Sequence, residues 1–262
     1  EKNLDNVKII DCSWHMPQTE RDGYEEYKSQ HIPNAIFFDL DDNSKKNTNL
    51  PHMLVNKSDW EKIISGMGIN KNDKIVVYDN SDVISSCRCW FNFVYFGHDP
   101  KLIHVLNGGL NKWLKEKRVI TKDISHIENS NYKSFEKKEL VKDKYSIDQN
   151  IKSKKFKVID ARSKDRFLGN VPEPRKGLRS GKIENSFCIP FSYCINDDKT
   201  FKSKKELEKI FESCLGNINE KNIVFSCGSG VTACVLALAY SLINDKYQPS
   251  IYDGSWAEYG II

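Results

Sequence analysis

The chain has 262 residues, 39% hydrophobic and 29% charged, enough for two domains of ordinary size beneath a lysine-rich surface. Its 40 basic and 36 acidic residues leave a net charge of +4, a near balance that gives no argument for a stably bound nucleic acid. No apolar run reaches membrane-spanning length, and the eight cysteines include no Cys-x-x-Cys pair, which argues against a zinc site and a disulfide framework.

Such cysteine usage predicts a reduced protein of the cytoplasm or mitochondrion. The chain begins at Glu1 rather than Met, so its first residues say nothing of a targeting peptide.

In chain order, short apolar runs predict strands near 7–10, 35–38, 74–78 and 102–105, with helices at 58–66, 86–96 and 109–116. After the second strand comes Phe38-Asp39-Leu40-Asp41, and eleven residues beyond Asp41 stands His52, in Pro51-His52-Met53-Leu54. Taken alone, this histidine reads as a loop residue with no chemical role. The polar stretch over 121–143 reads as a linker, which gives domains over 1–120 and 144–262. Beyond it, strands near 157–159, 187–190, 222–226 and 249–252 accompany helices near 203–214 and 231–243. This alternation predicts an α/β fold, with a mainly parallel sheet flanked by helices in each half.

The halves read as copies. Val7-Lys8-Ile9-Ile10-Asp11 matches Phe156-Lys157-Val158-Ile159-Asp160, and His31-Ile32-Pro33-Asn34-Ala35-Ile36 matches Lys182-Ile183-Glu184-Asn185-Ser186-Phe187. Lys74 to Asp79 matches Asn222 to Cys227, and Asn107-Gly108-Gly109-Leu110 matches Asp253-Gly254-Ser255-Trp256. The four offsets, 149, 151, 148 and 146, are nearly constant, as duplication requires. The two copies are expected to face each other across a cleft.

Chemistry concentrates between Asn222 and Ile243. Ile223-Val224-Phe225 reads as a buried strand and Val231 to Ile243 as a buried helix, joined by Cys227-Gly228-Ser229-Gly230. A glycine-containing strand-to-helix turn can aim backbone N–H groups inward, and such a nest attracts negative charge. A cysteine at its mouth is expected to favour the thiolate, the nucleophilic form. The competing reading is a packing cysteine, a part that suits Cys234 better. A phosphatase loop would need Arg six residues after the cysteine, where this chain has Ala233. In the first copy Cys227 is matched by Asp79, which cannot attack sulfur.

Cys-Gly-Ser-Gly-Val-Thr-Ala followed by an apolar helix, with Tyr-Asp-Gly-Ser-Trp at 252–256, resembles the rhodanese superfamily, and within it the mercaptopyruvate sulfurtransferases. The resemblance covers nearly the whole chain. It implies tandem rhodanese-like domains, the second catalytic, and sulfur transfer from 3-mercaptopyruvate through a Cys227 persulfide. The acceptor would be thioredoxin, a small thiol or cyanide. No cofactor or metal is implied, and a monomer is expected. Thiosulfate-using members typically carry Arg-Lys where this chain has Gly228-Ser229, which points away from thiosulfate.

The resemblance also implies that Arg166 and Arg175 hold the donor's carboxylate and carbonyl, although by themselves they read as surface arginines. Arg162 and Arg179 do not match that motif. Gly228, Gly230, Val231 and Thr232 would offer backbone N–H groups to the bound sulfur. Ser229, His52 and Asp41 would form a proton relay crossing between the domains. Two alternatives stay open: a thiosulfate:cyanide sulfurtransferase, and a persulfide carrier serving tRNA thiolation or another sulfur relay.

Overall fold

Residues 7–262 are described in a computed structural model. In the first half the regular elements run β1 (Lys8–Asp11), α1 (Gly23–Ser29), β2 (Ala35–Phe37), α2 (Lys57–Gly66), β3 (Ile75–Tyr78), α3 (Ser86–Tyr95), β4 (Ile103–Val105) and α4 (Gly109–Lys115). There follow β5 (Val141–Lys142), α5 (Lys144–Ser153), β6 (Lys157–Asp160), α6 (Lys164–Leu168) and β7 (Phe187–Cys188). The chain then adds α7 (Lys204–Leu215), β8 (Ile223–Ser226), α8 (Val231–Ser241), β9 (Ile251–Tyr252) and α9 (Ser255–Tyr259).

Both sheets are parallel throughout, in the orders β2-β1-β3-β4 and β5-β9-β8-β6-β7. The duplication shows in their register. Lys8 pairs with Ile75 and Asp11 with Tyr78, just as Lys157 pairs with Ile223 and Asp160 with Ser226. The cores repeat as well. Ile9, Ile32 and Leu110 in one cluster answer to Val158, Ile183 and Trp256 in the other, at the sequence offsets of 149, 151 and 146. The fold class is therefore the predicted one, with a two-residue strand, β5, added at one sheet edge.

The chain divides into two compact units. One comprises residues 7–46, Leu54–Lys137 and Asp198–Thr200; the other comprises Asn47–Met53, Lys138–Asp197 and Phe201–Ile262. The segment around His52 thus belongs with the second unit, although it lies in the first half of the sequence. Much of the stretch after Thr121 is irregular yet anchored. Tyr132 is fully buried, and its hydroxyl lies 3.1 Å from His98 Nδ1. No helix among the described residues is long and apolar enough to cross a membrane.

Central parallel strands are covered on both faces, so their sequences are apolar runs rather than alternations. All four residues of β8 are buried. Phe225 meets the edges of Phe211, Tyr240 and Tyr247 at centroid distances of 6.2, 6.3 and 6.0 Å. α8 is buried on nearly every side, and Tyr240 donates its hydroxyl to a backbone carbonyl 2.8 Å away. Each fully buried Val, Leu or Phe here contributes roughly 1.5–3 kcal/mol.

At the end of β1, Asp11 is buried, and burial pushes its carboxyl up to about 6 against hydrogen bonds from Ser13 and Tyr78. In the unfolded chain this group titrates near 4. Between about pH 4 and pH 6 the folded chain holds a proton that the unfolded chain has lost, so stability falls as pH rises through that window. Asp11→Asn is expected to remove that slope. The unfolding free energies from urea titrations at pH 5 and pH 7 should differ by roughly 1 kcal/mol less than in wild type. An unchanged slope would locate the titration elsewhere.

Candidate active site

β8 delivers Cys227 to the carboxyl end of the sheet, where sites form in open parallel sheets. The turn to α8 is four residues long, and its last residue, Gly230, sits at φ 77°, a left-handed conformation that glycine adopts without a Cβ clash. Cys227 is 2% exposed and Ser229 5%.

The turn is gripped by α9. The Trp256 N–H donates to the Cys227 carbonyl at 2.9 Å, and the Ala257 N–H donates to the Gly228 carbonyl at 2.8 Å. In a trans peptide the N–H points opposite its C=O. The N–H groups of Gly228 and Ser229 are therefore turned away from α9. The first N–H groups of α8, on Val231 and Thr232, lack intrahelical acceptors, so the turn has the makings of an anion nest. Cys234, one turn along α8, instead donates its thiol to the Gly230 carbonyl at 3.1 Å.

Ser255 completes the grip. Its hydroxyl accepts the Cys227 N–H at 3.1 Å and donates to the Tyr252 carbonyl at 2.8 Å. It does so from φ 49°, a strained conformation for a serine. Its counterpart in the first copy, Gly109, holds φ 55° with no Cβ to strain. Ser255 carries one local signal of this role, the alignment of Asp253-Gly254-Ser255 with Asn107-Gly108-Gly109.

The arginine pair flanks the turn. A Cβ built on Gly228 would meet Arg166 Nη2 at 3.3 Å and Arg175 Nη1 at 3.6 Å. Arg175 also donates to Ser229 Oγ at 3.4 Å. Arg166, on α6, is held by Glu173 through Nε at 3.2 Å and Nη2 at 2.5 Å. Arg162 is held by Asp160 and Glu173 with its guanidinium 4.3 Å from the Trp256 ring, and Arg179 lies 4.7 Å from that ring. The carboxylates of Asp160 and Glu173 outweigh the burial of Arg162 and raise its already high pKa.

His52 joins this group within the same unit. Its Nδ1 lies 2.9 Å from Ser229 Oγ, it is 4% exposed, and its backbone holds φ 60°. Ser229 Oγ thus lies within hydrogen-bond distance of both His52 Nδ1 and the Arg175 guanidinium. Asp41 belongs to the first unit, where its Oδ2 accepts the indole N–H of Trp14 at 2.9 Å.

The first copy fills its corresponding turn differently. The Leu110 N–H donates to the Asp79 carbonyl at 2.9 Å, as Trp256 does to Cys227, so the two positions are equivalent. The first copy's turn runs seven residues, 79–85, and the Asp79 carboxylate accepts the N–H groups of Ser81 and Ser86 at 2.8 and 3.0 Å. A carboxylate from the chain itself thus occupies this helix N-terminus. Three of the other thiols are ill suited to attack. Burial pushes Cys188 and Cys194 up to about 12 and Cys12 well above the ordinary thiol range.

A model described as the rhodanese-like domain matches residues 1–116 and again 143–261. The Arabidopsis thaliana mitochondrial protein named thiosulfate/3-mercaptopyruvate sulfurtransferase 1 is 38% identical, over 97% of this chain and 72% of its own length. Bos taurus thiosulfate sulfurtransferase is 36% identical, over 97% and 84%. The crystal structure of Escherichia coli SseA, described as a 3-mercaptopyruvate sulfurtransferase, superposes with a TM-score of 0.87 at 29% identity, covering 97% of this chain and 95% of that one. With two matching domains, a repeated parallel sheet and a cysteine turn at the end of β8, the chain belongs to the rhodanese family of sulfurtransferases.

Proposed function

We propose that this chain moves the sulfur of 3-mercaptopyruvate through a persulfide on Cys227 to a thiol acceptor. The observation that carries the reading is the pair of guanidiniums, Arg166 and Arg175, converging on the side-chain-free face of Gly228. Guanidiniums suit a carboxylate and an adjacent carbonyl. A cationic side chain at 228 would point into both of them.

In this reading the Cys227 thiolate attacks the donor sulfur. The sulfur–sulfur bond forms as the carbon–sulfur bond breaks, and its electron pair leaves as the enolate of pyruvate. The proton of the donor thiol ends on the methyl carbon of pyruvate, carried by way of Ser229 and His52 Nδ1, 2.9 Å apart. Gly228, Gly230, Val231 and Thr232 offer N–H groups to the sulfur that stays on Cys227. A second thiol, of thioredoxin or a small molecule, then removes it. The role that the family resemblance gives Asp41 is read from Asp41→Asn. The monomeric state and a mitochondrial or cytoplasmic setting belong to the same proposal.

The test is pyruvate release from 3-mercaptopyruvate with dithiothreitol, run beside thiosulfate at matched concentration. The expected preference in kcat/KM for mercaptopyruvate is at least roughly tenfold. Preference for thiosulfate would sink the donor assignment. No turnover with either donor, together with persulfide acceptance from a desulfurase, would favour a carrier.

A further inference from the structure

The Glu173 side chain is 1% exposed and joins two guanidiniums. Its Oε1 accepts from Arg162 Nη1 at 2.7 Å and from Arg166 Nε at 3.2 Å, and its Oε2 accepts from Arg166 Nη2 at 2.5 Å. Arg162 does not depend on this carboxylate. Asp160 accepts from its Nε at 2.9 Å and its Nη2 at 2.6 Å, and the Gly181 carbonyl accepts from Nη2 at 2.8 Å. Arg166, by contrast, meets Glu173 with two nitrogens, and Nη2 is also its atom nearest Gly228. Pro172 and Pro174 flank Glu173 and restrict its backbone, so the carboxylate is pre-positioned.

We propose that Glu173 sets the charge class of the sulfur donor, by cancelling the charge of Arg166 while leaving its N–H groups aimed past Gly228. The inference rests on the donor reading above and extends it. Singly charged donors such as 3-mercaptopyruvate gain oriented hydrogen bonds at this site. Dianions such as thiosulfate find no matching second charge. Glu173 is a positioning residue, acting through Arg166 rather than on the donor.

The test compares Glu173→Gln and Glu173→Asp with wild type, using both donors at low and high salt. Gln keeps a carbonyl that can accept from Arg166 and removes one negative charge. Glu173→Gln is expected to raise kcat/KM for thiosulfate relative to mercaptopyruvate by roughly tenfold, with the gain shrinking as salt is added. Glu173→Asp keeps the charge and is expected to hold the wild-type ratio while slowing both donors. Equal losses for both donors in Glu173→Gln would reduce Glu173 to a structural anchor and overturn the inference.

If wild type turns over neither donor, the donor reading fails by itself. Glu173 is then judged by calorimetric binding of pyruvate and sulfate: a gain in Glu173→Gln confined to sulfate supports the inference, and no selective gain overturns it. If Glu173→Gln does not fold, wild type decides. Sulfate binding no tighter than pyruvate is expected, and tighter sulfate binding refutes the proposal.

Discussion

A Cys227→Ser chain is expected to release no measurable pyruvate from 3-mercaptopyruvate, a loss of at least ~10⁴-fold. A serine hydroxyl is far less ionised than a thiol near pH 7, and oxygen cannot carry the persulfide. The substitution is nearly isosteric at a position 2% exposed, so the fold should survive, and an unchanged thermal midpoint would show that it has. Mass spectrometry after donor treatment should find one added sulfur on wild type and none on the variant. Cys188→Ser is the control: the Cys188 thiol is pushed up to about 12 by burial, and its loss should leave turnover intact. Wild-type turnover by Cys227→Ser would end the covalent mechanism.

The second large effect is expected from the arginines. Charge-assisted hydrogen bonds contribute about 1.5–3 kcal/mol each, so Arg166→Gln combined with Arg175→Gln should lower kcat/KM for mercaptopyruvate by roughly 10²–10⁴-fold. The single variants should differ in kind. Arg166 is tied to Glu173 and flanks Gly228, so its loss should appear mainly in KM. Arg175 also donates to Ser229 Oγ at 3.4 Å, next to His52, so its loss should lower kcat as well. Persulfide acceptance from a desulfurase should survive in the double variant. Mercaptopyruvate turnover that also survives would assign the arginines to the surface and favour the carrier.

Much of the architecture was legible in consecutive residues. Runs such as Ile75 to Tyr78 and Ile223 to Ser226 are buried on both faces of parallel sheets, and burial of that kind needs only local apolar composition. The duplication was legible for the same reason, since a repeated register leaves repeated runs at a constant offset. The short polar elements were not legible. α6 spans five residues, Lys-Asp-Arg-Phe-Leu, too few to show a helical period. β5 is a strand only because its two residues pair with β9, far along the chain.

The cysteine turn could be found from sequence because strand, glycines and helix are contiguous. Its surroundings could not. Nothing local shows that Glu173 would hold Arg166 or that Ser255 would accept the Cys227 N–H. By local sequence alone, His52 is an ordinary loop histidine. The two ends of its hydrogen bond to Ser229 lie 177 residues apart, and its segment belongs to the second unit. The sequence by itself determined the repeated α/β scaffold and the position of the nucleophile, because apolar period and turn composition are properties of neighbouring residues. Only the tertiary structure decided which charges neutralise one another around that nucleophile, because such pairing depends on where distant segments come to rest.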